Sequence, residues 1–149
     1  MRRIALTLLC TALLLLTGGW MTPADAGDTQ PPGRLASDDT VRSAMNAIRA
    51  AVVDHHTLIT HRRLPKSMAL GLASKVRGSI AAIRESSELS AEAKTALEPL
   101  LSRIQSGAEA IGSTSDSLAQ MDGLFLMTAA LDEYGDRFDH PGWTPVQAR

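Results

Sequence analysis

The residues with the most chemistry to offer gather near the C-terminus, in the run Tyr134-Gly135-Asp136-Arg137-Phe138-Asp139-His140-Pro141-Gly142-Trp143. An imidazole beside a carboxylate and among aromatic rings can hold a proton, bind a metal or simply pack. Pro141-Gly142 suits the centre of a type II turn, because proline fixes the first φ and glycine accepts the positive φ of the second. Such a turn would swing Trp143 back toward Phe138 and Tyr134. The run then reads either as a lock over one end of a helical domain or as a small site in which Asp139 orients His140.

A second group is His55, His56 and His61. Metal ligands on one helix face are usually three or four residues apart, so the adjacent His55 and His56 point different ways, and His61 lies at an awkward spacing from both. One of them could still pair with His140 from another helix. His55, His56 and His140 are therefore the candidate ligands for a transition metal. Met45 and His140 are the candidate axial ligands for a haem, since a methionine early in the first helix and a histidine late in the last would meet in an antiparallel bundle. Against this, Pro141 follows His140 directly, and Met45 fits an ordinary core position. No Cys-x-x-Cys-His motif offers covalent haem attachment. A nucleophile elbow, a phosphate loop and the paired Glu-x-x-His motifs of di-iron bundles are also missing, so the chain reads as a non-catalytic protein.

The elements that must position these residues begin after an export signal. Arg2 and Arg3 precede the largely apolar run from Ile4 to Leu16, Gly18 and Gly19 break it, and Ala24-Asp25-Ala26 offers the small residues of a cleavage site. Residues 1–26 thus read as a signal peptide, and the protein is expected to be periplasmic or secreted. The apolar run falls short of the roughly 20 residues of a membrane span, so no stable anchor is expected after cleavage. Cys10 is preceded by Leu9 and lies inside that run, which does not suit lipidation. With Cys10 removed, no disulfide or thiolate site is available, and stability must come from a packed core.

Residues 27–37, with Pro31, Pro32 and Gly33, read as a flexible leader, and residues 38–149 as one helical domain with an aromatic tail. Ser37 or Asp38 can cap a first helix with Val41, Met45, Ile48, Val52 and Ile59 in steps of three and four. Leu64-Pro65 ends it. A second helix carries Met68, Leu72, Val76, Ile80 and Ile83, with Gly71 and Gly78 weakening it or admitting a close neighbour. Ser90 can cap a third helix, which holds Ala93, Leu97, Leu101, Ile104, Ala108 and Ile111. Pro99 should kink that helix unless it starts at Glu98. The fourth is expected from about Ser117 to Asp136, with Leu118, Met121, Leu124, Phe125, Thr128, Leu131 and Tyr134 inward. Four helices with short connections predict an all-α, antiparallel four-helix bundle.

Charge is unevenly divided. From Asp38 to Arg84 there are eight basic and three acidic residues, whereas from Glu85 to Asp139 there are three basic and eleven acidic. This polarity favours association of the two halves and solubility. The basic residues have no interleaved aromatics, which argues against nucleic acid as a partner.

The tail also resembles a family of short exported proteobacterial proteins, the DnrO-like proteins, which end in this Tyr-Gly, Phe-Asp-His-Pro-Gly-Trp signature. The resemblance extends to His55-His56 with Thr60-His61-Arg62-Arg63, to Leu89 to Ala93 and to Gly107-Ala108-Glu109. It implies export and a helical fold, and carries no established activity. Family members often have a cysteine and a histidine where this chain has Ser87 and Glu98. If those residues bind metal, this protein has lost part of the site and keeps His55, His56, His61 and His140. The expectation is an exported bundle that binds a partner protein or a small ligand, with a haem or metal carrier as the alternative.

Overall fold

The computed structural model describes residues 33–146; the expected signal peptide and residues 27–32 of the expected leader lie outside the described residues. The element order is β1 (Leu35–Ala36), α1 (Asp39–Thr60), α2 (Lys66–Ser86), α3 (Ala91–Ser113), α4 (Ser117–Arg137) and β2 (Phe138–Asp139). Each helix packs on its neighbours in sequence, and α4 closes the ring against α1. The four form the antiparallel bundle that the short connections require.

Local chemistry sets the helix boundaries. The Asp38 carboxylate accepts from Val41 N at 2.7 Å and caps α1, and its other oxygen accepts from Glu88 N at 2.6 Å, tying the start of α1 to the α2–α3 connection. Pro65 stands immediately before α2, Ser90 caps α3 through Ala93 N, and Asp116 caps α4 through Leu118 N. Pro99 lies inside α3, which starts at Ala91 and not at Glu98. Pro99 and Thr95 are both exposed, so the carbonyl that loses its partner to the proline is on the solvent side.

The core is aliphatic, built from Val41, Met45, Ile48 and Val52 of α1, Leu72, Val76 and Ile80 of α2, Leu97, Leu101 and Ile104 of α3, and Met127 and Leu131 of α4. Helices α3 and α4 approach backbone to backbone where Gly107 and Gly123 face each other. Gly71 and Gly78 have nothing within 4 Å of a Cβ position, so among the described residues neither admits a close neighbour.

Three sequence expectations change. Helix α2 buries Ala69 in place of Met68, which is exposed, because the small Ala69 and Ala73 seat against Gly112 of α3. Helix α4 is turned so that Gln120, Gly123, Leu124, Met127 and Thr128 face inward, while Leu118, Met121 and Phe125 are exposed. The tight Gly107–Gly123 contact decides this rotation, since only a face of small residues lets the two backbones meet. Finally, Leu35–Ala36, at the end of the expected leader, is part of the fold: it pairs in parallel with Phe138–Asp139, and Ser37 is buried.

Candidate functional site

The aromatic tail folds onto the end of the bundle where α1 begins and α4 ends. Trp143 N–H donates to His140 O at 3.0 Å across Pro141-Gly142, and Gly142 has φ +78°, as a type II turn demands. The turn lays the Trp143 indole on Gly135, where a Cβ would stand 2.3 Å from Nε1 and 2.4 Å from Cδ1. Tyr134 stacks on Phe138 with centroids 5.1 Å apart and meets Trp143 edge-on at 5.0 Å. His140 packs against both, 5.7 Å from Tyr134 and 5.0 Å from Trp143, and is only 5 % exposed.

His140 is held at both ring nitrogens. Nδ1 is 3.0 Å from the Tyr134 hydroxyl and Nε2 is 3.1 Å from the amide nitrogen of Asn46. With the Asn46 amide as the donor, Nε2 accepts, so Nδ1 carries the proton and donates it to the phenol oxygen. The Ser37 hydroxyl in turn donates to Asp139 O, and Arg42 donates to Ser37 O at 2.5 Å. Asp139 therefore does not orient the ring, as the sequence suggested. Its backbone pairs with β1, and its carboxylate acts on His140 only through its charge.

This setting keeps both groups neutral at ordinary pH. Burial holds the His140 pKa below its usual value, the Arg42 charge lowers it further, and Asp139 offsets part of this. Burial pushes the Tyr134 hydroxyl up to about 12, against the smaller opposing effects of Ser37 and Arg42. Arg49 completes the closure by donating to Thr144 O at 2.5 Å.

The remaining candidate ligands lie elsewhere. Met45 is fully buried in the core, one residue before the Asn46 that reaches His140. His55 and His56 are half-buried about 14 Å further along α1 than Asn46, at 1.5 Å per residue, so the fold does not bring them to His140. His55 Nδ1 bonds Ala51 O at 2.7 Å, and His61, which is exposed, bonds Thr57 O at 2.8 Å. Among the described residues no group of three or more His, Cys, Asp and Glu side chains is placed to hold a metal ion. Asn46, Ser37, Arg42 and Arg49 have no motif in the sequence; only the position of Ser37 at the start of α1 marked it, and as a cap.

The opposite end of the bundle has a different surface. The exposed large hydrophobic residues among those described are Val53, Met68, Leu70, Leu118, Met121, Phe125 and Leu126, and Phe125 is 73 % exposed. All belong to the second half of α1, the first turns of α2 or the first half of α4, which antiparallel packing places at the end away from Trp143. At that end Lys66 Nζ donates to Gly112 O at 2.6 Å, and Arg62 adopts φ +56° in the connection after α1. No protein-family model matches the chain, and it matches no curated protein and no solved structure.

Proposed function

We propose that this is an exported, non-catalytic helical bundle that acts by binding a protein partner through the end away from the aromatic tail. The observation that carries this reading is the outward face of the first half of α4, where Leu118, Met121 and Phe125 are all exposed and Phe125 is 73 % exposed. Scattered apolar side chains are normal on a protein surface, but a group confined to one region is the composition of an interaction site. Leu118, Met121 and Phe125 recur at three and four residues along α4, so they lie along one exposed face of that helix.

The aromatic end supports the same division of labour. Its histidine is bonded to the tyrosine and to Asn46, and its indole rests on backbone, so its chemistry is spent on closing the bundle. Among the described residues no helix is long and apolar enough to cross a membrane.

The test is affinity capture from the exporting cell's periplasm or medium with the wild-type protein and with Phe125→Asp. A partner retained by the wild type and lost with Phe125→Asp supports the reading. Equal capture by both proteins, with Phe125→Asp as helical as the wild type, refutes it.

A further inference from the structure

We infer that the cavity between the end of α2 and the start of α3 is a binding site for a small hydrophobic carboxylate, of the size of benzoate. It is lined by α2, α3 and their connection alone, so it is independent of the exposed face of α4 and of the reading above.

The floor of this cavity is apolar. Ile83 of α2 and Leu97 and Leu101 of α3 are buried, and Leu89 of the connection is half-buried beside them. The space they leave is about 170 Å³. An apolar cavity of about 150 Å³ takes up one benzene ring, because the ring supplies the dispersion contacts that empty space denies the lining atoms. A single ring or a short hydrocarbon chain therefore fits here, whereas a nucleotide or a peptide does not.

The mouth is polar and carries one unanswered charge. Arg84 of α2 donates to Glu98 of α3 at 2.6 Å and to Gln105 Oε1 at 3.2 Å, so the charges of Arg84 and Glu98 cancel. Lys94 lines the same mouth and makes no hydrogen bond or ion pair among the described residues. Ser87 adds a half-buried side-chain hydroxyl, also without a hydrogen bond among the described residues. Glu85, Glu88 and Glu92, the other carboxylates nearby in sequence, are exposed and do not line the cavity. An apolar interior with an ammonium and a hydroxyl at its mouth selects a ligand that is hydrocarbon at one end and anionic at the other. A carboxylate can accept from both donors while its ring occupies the floor.

The site is also preformed. Asp38, which caps α1, holds Glu88 N at 2.6 Å, and this pins the connection between Ser87 and Leu89, which both wall the cavity. Little ordering is then left to oppose binding.

The experiment is a titration of the isotope-labelled protein, purified from exporting cells, with benzoate, benzyl alcohol and benzylamine, followed by backbone amide chemical shifts. Benzoate should saturate with a dissociation constant below about 5 mM, as expected of so small a ligand. The shifts should be confined to residues 83–101. Benzoate should bind about fivefold tighter than benzyl alcohol, and benzylamine should bind most weakly. Lys94→Gln, at an exposed position, should weaken benzoate about fivefold and leave benzyl alcohol unchanged. Ser87→Leu, with helicity equal to the wild type, should exclude all three probes by filling the mouth. Absence of saturable benzoate binding up to about 20 mM overturns the proposal, and so do shifts spread over the rest of the bundle. Equal affinity for the three probes, or unchanged benzoate affinity in Lys94→Gln, overturns the anionic class. Undiminished binding to a folded Ser87→Leu overturns the location.

Discussion

Gly107 of α3 and Gly123 of α4 meet backbone to backbone: a Cβ on Gly107 would stand 2.5 Å from Gly123 O, and a Cβ on Gly123 would stand 2.6 Å from Gly107 O. Two helices can come this close only where both lack side chains, and the contact fixes how α4 is rotated in the bundle. The exposure of Phe125 follows from that rotation.

Alanine at either of these glycines must push two helices apart, because the obstacle is backbone and not the end of a flexible side chain. The overpacking cost of about 1–3 kcal/mol outweighs the gain in helix propensity, so Gly107→Ala and Gly123→Ala should lower stability. Gly78→Ala is the control: nothing lies within 4 Å of its Cβ position, and the change should stabilise by about 1 kcal/mol. Urea unfolding of the three variants checks both signs at once.

The Trp143 indole lies on Gly135 with its N–H buried and without a hydrogen-bond partner among the described residues. Trp143→Ala should therefore lower stability by about 1–3 kcal/mol through lost packing, less than for a fully buried tryptophan. Trp143→Phe should cost less, because it keeps a ring and removes the unpaired donor. Gly135→Ala should expel the indole, seen as red-shifted tryptophan emission. An unchanged melting temperature in Trp143→Ala would show that the tail does not lock the bundle.

Much of the architecture was legible because the bundle helices obey simple rules. Asp38 and Ser90 cap where a short polar side chain precedes an apolar stripe, and Pro65 marks the start of α2. The turn at Pro141-Gly142 was equally readable, since its two residues each demand one backbone conformation. The rotation of α4 was not. Periodicity favours burying the largest hydrophobes, and Leu118, Met121 and Phe125 form a good stripe, whereas the face that packs is centred on a glycine. In the aromatic site, His140 and the rings stood out by type. Their partners did not: Asn46 lies 94 residues from His140 and Ser37 lies 102 from Asp139, and only the closed ring of helices brings these segments together.

The buried pair Tyr134 and His140 should make stability fall at both ends of the pH scale. The His140 pKa is depressed in the folded protein, so below about pH 6.5 the unfolded chain binds a proton that the folded one resists. Stability should drop as pH falls from 7 through that value, then level off below the folded pKa. Tyr134 works in the opposite direction: its folded pKa is about 12 against 10.0 unfolded, so its contribution holds below pH 10 and is lost between 10 and 12. The two-unit gap corresponds to about 3 kcal/mol. Urea unfolding from pH 5 to 11 should show both limbs, and Tyr134→Phe should remove the alkaline one.

Arg62 carries a strain that can be measured. Its φ of +56° strains any residue with a Cβ, and a left-handed residue costs roughly 1–2 kcal/mol where glycine costs little. Arg62→Gly should raise stability by about 1 kcal/mol, partly offset by the greater freedom of glycine in the unfolded chain. Arg62→Ala keeps the strain, so it should leave stability near that of the wild type. Urea unfolding of both variants separates the backbone from the side chain: equal stability of the glycine and alanine variants would show that the left-handed position carries no strain.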